Sequence, residues 1–132
     1  MIIADTSIWI DFFRNKLEER QILMRLIEDD LIIMPDVVAG ELLQGAKSEK
    51  EVRIIKGYAQ NLKRYSELNL FVESGEYSFR NKLIDKGIGL IDSVFITTAI
   101  KTNSKIWTND LKLIKHLNKE LIYIPGCYII SD

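Results

Sequence analysis

The sequence predicts an α/β fold with a parallel sheet covered by helices on both faces. Three observations predict it. Short apolar runs of strand length alternate with stretches of helical periodicity, the pattern of βαβ units. The runs Ile2-Ile3-Ala4 and Leu31-Ile32-Ile33-Met34 are apolar throughout, as strands buried on both faces are. Apolar residues make up 47% of the 132 and charged residues 28%, ordinary globular usage that excludes disorder.

The elements follow in order. The Ile2–Ala4 run stops at Asp5-Thr6-Ser7, helix-capping residue types, and helical spacing continues through Ile8, Trp9, Phe12 and Phe13. A second helix fits residues 17–29, with Leu17, Ile22, Leu23, Leu26 and Ile27 on one face. Residues 31–34 form the second strand, closed by Pro35. Asp36 is predicted to cap a helix carrying Val37, Val38, Leu42 and Leu43 that ends at Gly45. Ser48 and Glu51 have the spacing of a capping box, opening a helix to about Lys63 with Val52, Ile55, Ala59 and Leu62 inward. Residues 68–73 resemble a weaker third strand. Helices are predicted from Ser74 to Lys86, Ile91 to Thr102 and Leu111 to Leu117, with strands at 105–108 and 121–124. No linker or repeat interrupts the chain, so residues 1–132 are expected to form one domain.

Composition narrows the function. Eighteen basic against nineteen acidic side chains leave a net charge of −1, without the long-range basic field that marks many nucleic-acid binders. A local site with a basic rim remains compatible with that balance. The lone cysteine, Cys127, forms no internal disulfide, which suits a reducing compartment. No apolar run reaches the ~18 residues of a membrane span, and the opening residues carry no signal-peptide pattern. A cytoplasmic protein is expected.

The acids carry the information. Ligands in open α/β sheets bind beyond the carboxyl ends of the strands. Asp5 follows the first strand, and Asp110 lies two residues past the strand ending at Thr108. Asp92 begins a helix whose apolar stripe is Phe95, Ile96, Ala99 and Ile100, an expensive place for an unpaired charge. Glu41 lies mid-helix between Gly40 and Gly45. Each acid taken alone has an ordinary explanation: a helix cap for Asp5, Asp92 or Asp110, a solvated helix position for Glu41. Gathered at one end of the sheet, the four would need a counter-charge, because two carboxylates 4 Å apart repel by about 4 kcal/mol at an effective dielectric of 20. A hard divalent cation removes that repulsion and prefers oxygen ligands. The single histidine, His116, and single cysteine offer no zinc-type alternative, so magnesium or manganese is expected, with metal-assisted phosphoryl chemistry.

Four segments resemble a known family. Ile3-Ala4-Asp5-Thr6-Ser7-Ile8-Trp9-Ile10-Asp11-Phe12-Phe13 is similar to the opening of PIN-domain proteins, the VapC-type toxin ribonucleases in particular. Val38-Ala39-Gly40-Glu41-Leu42-Leu43-Gln44-Gly45, Ile91-Asp92-Ser93-Val94-Phe95-Ile96 and Trp107-Thr108-Asn109-Asp110 resemble that family's second, third and fourth motifs, in the right order. The resemblance implies a three-layer α/β/α sandwich and a metal-dependent endoribonuclease, the toxin half of a toxin–antitoxin pair. It implies Asp5, Glu41, Asp92 and Asp110 as catalytic and metal-binding residues for one or two magnesium or manganese ions. Thr6, Ser7, Thr108 and Asn109 would support them. Arg14, Lys47 and Lys112 lie near the motifs in sequence and are candidates to meet RNA phosphates, with solvated surface charge as the ordinary alternative. It also implies a homodimer and a cognate antitoxin, expected on the apolar surface around Trp9, Phe12, Phe13 and Leu43. Family members often carry small alanines where this chain has Phe95, Thr97 and Thr98, and Trp107 is bulky for its strand position. Leu113 stands where the family often has an aromatic residue.

Two readings stay open beside this one: a PIN-like nuclease acting on structured DNA or RNA outside a toxin–antitoxin system, and a scaffold that binds without cutting. Signalling receiver domains and haloacid-dehalogenase-type phosphatases also gather acids around magnesium. Their patterns fail here, because Thr6 and Ser7 occupy the positions after Asp5 where those folds need a further acid.

Overall fold

The computed structural model describes residues 1–126. Cys127 lies outside them. Three short strands, β1 (Ile2–Ala4), β2 (Ile32–Ile33) and β3 (Lys105–Trp107), form a parallel sheet in the order β2-β1-β3. Ile3 of β1 pairs with Ile33 on one side and Ile106 on the other, and all three are buried. The central strand is therefore the first in sequence, and the chain leaves its two flanks in opposite directions. Beyond the carboxyl end of such a strand lies the crevice where α/β proteins bind ligands.

Helices flank the sheet in the three-layer α/β/α arrangement. They are α1 (Thr6–Phe13), α2 (Leu17–Glu28), α3 (Asp36–Gln44), α4 (Glu49–Asn61), α5 (Leu70–Arg80), α6 (Leu90–Thr102) and α7 (Leu111–His116). Trp9 and Phe12 of α1 are buried and pack edge-to-face at 5.5 Å, and Tyr58 of α4 packs against both. Ser48 accepts from the Glu51 amide at 3.1 Å while Glu51 accepts from the Lys47 amide at 2.5 Å, so the expected capping pair forms with its return bond one residue earlier. Among the described residues, no helix is long and apolar enough to cross a membrane.

Several expectations are corrected. Residues 68–73 form no strand: Leu70 begins α5. The apolar alternation of Leu68, Leu70 and Val72 imitates a strand, but burial repeats every four residues, at Leu70, Ser74 and Ser78, whereas Leu68 and Val72 are exposed. The serines let α5 lie close on α6, where Ser74 Oγ and Thr97 Oγ1 are 2.6 Å apart. The hydroxyl at position 97 thus serves an interhelical hydrogen bond where the family often has alanine. The helix predicted to run to Lys86 stops at Arg80, and a 3-10 turn over Ile84–Lys86 precedes Gly87.

The strand expected at 121–124 is reduced to one parallel bridge, Ile106 to Ile122, with the Tyr123 amide donating to Ile106 O at 2.8 Å. A 3-10 turn occupies Lys119–Leu121, and Pro125, which has no N–H for a ladder, follows. Bulky Trp107 is accommodated by edge-to-face packing against Tyr123 at 5.7 Å. Pro35, not Asp36, stands at the cap of α3, with Asp36 its first helical residue. Leu17 is exposed on α2, and Ile100 on α6 has turned out of the apolar stripe into solvent.

Candidate metal centre

Asp5 ends β1 and begins α1. Its amide donates to Trp107 O at 2.9 Å, which continues the β1–β3 pairing by one residue. Its side chain caps α1, accepting from the Ile8 amide at 3.3 Å, so the ordinary reading of Asp5 as a cap is also correct. Ser7 Oγ donates to the same oxygen, Oδ1, at 2.5 Å, and the Thr108 hydroxyl donates to Oδ2. The carboxylate is buried, and burial pushes its pKa above the usual carboxylate value, although the Ser7, Thr108 and Ile8 donors favour the charged form.

Asp110 is held from the other side of the crevice. Its amide donates to Thr108 Oγ1 at 2.9 Å, and its Oδ1 caps α7 by accepting from the Lys112 amide at 2.9 Å. Its Oδ2 has no hydrogen-bond partner among the described residues. Thr108 is the hinge of this arrangement, donating to one acid while accepting from the backbone of the next.

Glu41 projects from α3 and is exposed, with its Oε1 accepting from Thr6 Oγ1 of α1 at 2.6 Å. Asp92 is the third residue of α6, which begins two residues before it, behind Gly89. Asp92 has neither a hydrogen bond nor an ion pair among the described residues. Its pKa is pushed up to about 6, first by burial and then by the negative charges of Asp110, Asp5 and Glu41. Lys112 acts in the opposite direction. The Lys112 stem passes over Gly87, with its Cδ 3.5 Å from where a Cβ would stand.

All four expected acids therefore share one electrostatic field at the carboxyl end of the sheet. Among the described residues, no three acids converge closely enough to make a ready-formed cation cage. The donor set is nevertheless all oxygen: four carboxylates and the hydroxyls that orient two of them. His116 stands at the far end of α7, exposed. Such a set fits a hard divalent cation, and Asp92, crowded by three like charges and unpaired, is the group a cation would relieve.

Thr6, Ser7 and Thr108 hold acids directly, and the Asn109 amide donates to Ser7 Oγ at 3.3 Å. The phosphate-contact candidates do not all gather. Lys112 acts electrostatically on Asp92, whereas Arg14 and Lys47 line a groove of about 280 Å³ with Ile10, Phe13 and Ile54 that reaches the site only at Glu41. The expected partner surface is also revised: Trp9 and Phe12 are fully buried, so only Phe13 and the half-buried Leu43 remain available to a partner. Asp11 joins the site without having been singled out beforehand. It is buried, and its Oδ2 accepts from Asn109 Nδ2 at 3.0 Å. Its position four residues after Ser7, on the same helix face, is the signal in the sequence.

The PIN domain profile matches residues 2–119. The chain belongs to the PIN domain family. PIN domains are generally nucleases and typically use divalent metals. No curated protein matches this PIN domain significantly. Its fold is similar to a chain of VapBC2 from Rickettsia felis, crystallised with a DNA fragment from its promoter (TM-score 0.68, 24% identity, 92% of this chain and 96% of that one). It is similar also to a chain of a toxin–antitoxin complex from Klebsiella pneumoniae (0.67, 19%, 96% and 94%). A third similarity is to VapBC-1 from nontypeable Haemophilus influenzae (0.64, 22%, 87% and 91%). At these identities the likeness is one of fold.

Proposed function

We propose that this PIN domain is a metal-dependent endoribonuclease, the toxin of a toxin–antitoxin pair, acting in the cytoplasm. The observation that carries this reading is Asp92: a carboxylate without a hydrogen bond or ion pair among the described residues, its pKa raised first by burial and then by the charges of Asp110, Asp5 and Glu41. Asp5, Asp92 and Asp110, with Glu41, would hold magnesium or manganese. When bound, the ion supplies an activated water and stabilises charge on the scissile phosphate. The chain's own residues set the geometry. Thr108 and Ser7 fix both oxygens of Asp5, and the Lys112 amide fixes Oδ1 of Asp110, leaving Oδ2 without a hydrogen bond among the described residues. Thr6 restrains the otherwise exposed Glu41. Lys112, whose charge acts on Asp92, would offer a cation for a backbone phosphate, and Arg14 and Lys47 would take phosphates along the groove that reaches Glu41.

Fold similarity to chains of VapBC assemblies supports a cognate antitoxin as partner. A homodimer is supported by α5, which exposes Leu68 just before it and Phe71, Val72 and Phe79 along it, an apolar stripe that solvent alone would not favour.

Cleavage of a mixed RNA pool by purified protein, with magnesium or manganese, tests the reading. Cutting by the parent, abolished by chelator and by Asp92→Asn, is the expected result. Equal cutting by both proteins would sink it, and preference for structured DNA in competition would transfer the activity to that substrate.

A further inference from the structure

The turn between β3 and α7, residues 108–110, is tied to α1 and its cap by three hydrogen bonds from two consecutive residues. Thr108 donates to Asp5, the Asn109 amide donates to Ser7 Oγ, and the Asn109 side chain donates to Asp11. The first two ties involve residues already placed at the acidic site. The third ends on a buried carboxylate that the proposed reaction does not use.

Burying a carboxylate is costly unless both oxygens are satisfied. Asp11 divides them: Oδ1 lies 3.3 Å from Lys16 Nζ, and Oδ2 accepts from Asn109 Nδ2 at 3.0 Å. The Lys16 side chain is 58% exposed, so that pair is strongly screened. Packing alone would be served as well by an apolar residue of similar size. What a carboxylate adds is a strong, directional acceptor for Nδ2 of the Asn109 side chain. Asn109 is then gripped at its backbone and at the end of its side chain by residues one helical turn apart, Ser7 and Asp11. The peptide that follows, leading into Asp110, has little freedom left.

We propose that Asp11 is a positioning residue of the acidic site: acting through Asn109, it sets the direction in which Asp110 presents its carboxylate beside Asp5. The role rests on the reading of Asp5 and Asp110 as cation ligands. Groups that orient ligands from behind typically change metal affinity by 10- to 100-fold when removed.

The test uses the whole protein and two readouts. In Asp11→Ala, manganese affinity measured by calorimetry falls about tenfold. In the same variant without metal, hydrogen exchange at the Asp110 amide quickens about tenfold relative to the amides of β1, because the turn is freed while the sheet stays intact. Asp11→Asn keeps an oxygen acceptor for Asn109 and restores both quantities to within about threefold of the parent. Lys16→Ala, which removes only the exposed ion pair, leaves both unchanged. Unaltered exchange at Asp110 in Asp11→Ala overturns the proposal, as does undiminished manganese affinity. A parent protein without manganese affinity overturns the cation reading instead, and exchange at Asp110 then decides the clamp by itself.

Discussion

Thr108 joins Asp5 to the far wall of the crevice: its hydroxyl donates to Asp5 Oδ2 across 103 residues of sequence and accepts from the Asp110 amide. One oxygen atom thereby links two acids that follow different strands. Thr108→Val, which keeps the shape and removes the hydroxyl, leaves both partners short of a bond in a buried place. It is expected to cost about 1–3 kcal/mol of stability by urea unfolding. Thr108→Ser should recover most of that. A Val variant as stable as the parent would show that the hydroxyl is dispensable.

Acid titration of the metal-free protein carries an unusual sign. The folded Asp92 carboxyl titrates at about 6 against 3.8 for a free aspartate, so between those values the folded state holds a proton that the unfolded chain has released. Stability therefore falls as pH rises through that window and is lowest, on Asp92's account, above it. Asp5, also raised, acts in the same direction, while Glu67, held low by Tyr65 and Lys101, opposes them. The difference between parent and Asp92→Asn isolates the effect. The Asn variant should gain on the order of 2 kcal/mol relative to the parent between pH 4 and 7. A difference that stays flat with pH in chemical unfolding would contradict the crowding of Asp92.

Divalent metal should reverse that penalty. Magnesium or manganese at 100 times its dissociation constant is expected to stabilise the parent by about 2.7 kcal/mol at neutral pH, and Asp92→Asn far less. Thermal unfolding with and without chelator reads this directly, and an equal shift in both proteins would remove Asp92 from the ligand set.

The α5–α6 contact depends on small hydroxyl side chains. Thr97→Val removes the partner of Ser74 Oγ, which keeps its bond to Leu70 O at 2.7 Å, so the expected loss is modest, about 1 kcal/mol. Ser74→Leu instead forces the helices apart and should cost about 1–3 kcal/mol. If the leucine variant unfolds at the parent's urea midpoint, close packing at this contact is not what holds α5 in place.

The exposed stripe on α5 makes a prediction about assembly. Phe79, 79% exposed, contributes little to the fold, so Phe79→Asp should leave the melting temperature within about 2 °C. Sedimentation should show a dimer for the parent and a monomer for the variant. Identical masses for the two would separate the dimer from this face.

The sequence by itself determined the architecture and the chemical type of the site. Continuous apolar runs at Ile2–Ala4 and 31–34 specify buried parallel strands, and acids placed just past strand ends must lie at the sheet's carboxyl edge, whatever the intervening helices do. Asp5 and Asp110 were legible for that reason. Tertiary structure alone decided the rest. Whether residues 68–73 run as strand or helix depends on what they pack against, and the close surface of α6 selects the helix through Ser74. The bridge at Ile122 stays a single bridge because a 3-10 turn precedes it and Pro125, without an N–H to donate, follows. Burial of Trp9 and Phe12 removed them from the partner surface, since an amphipathic pattern marks an apolar face without saying what covers it. Asp11 was hidden for a related reason: a carboxylate's role is set by its hydrogen-bond partner, and Asn109 stands 98 residues away.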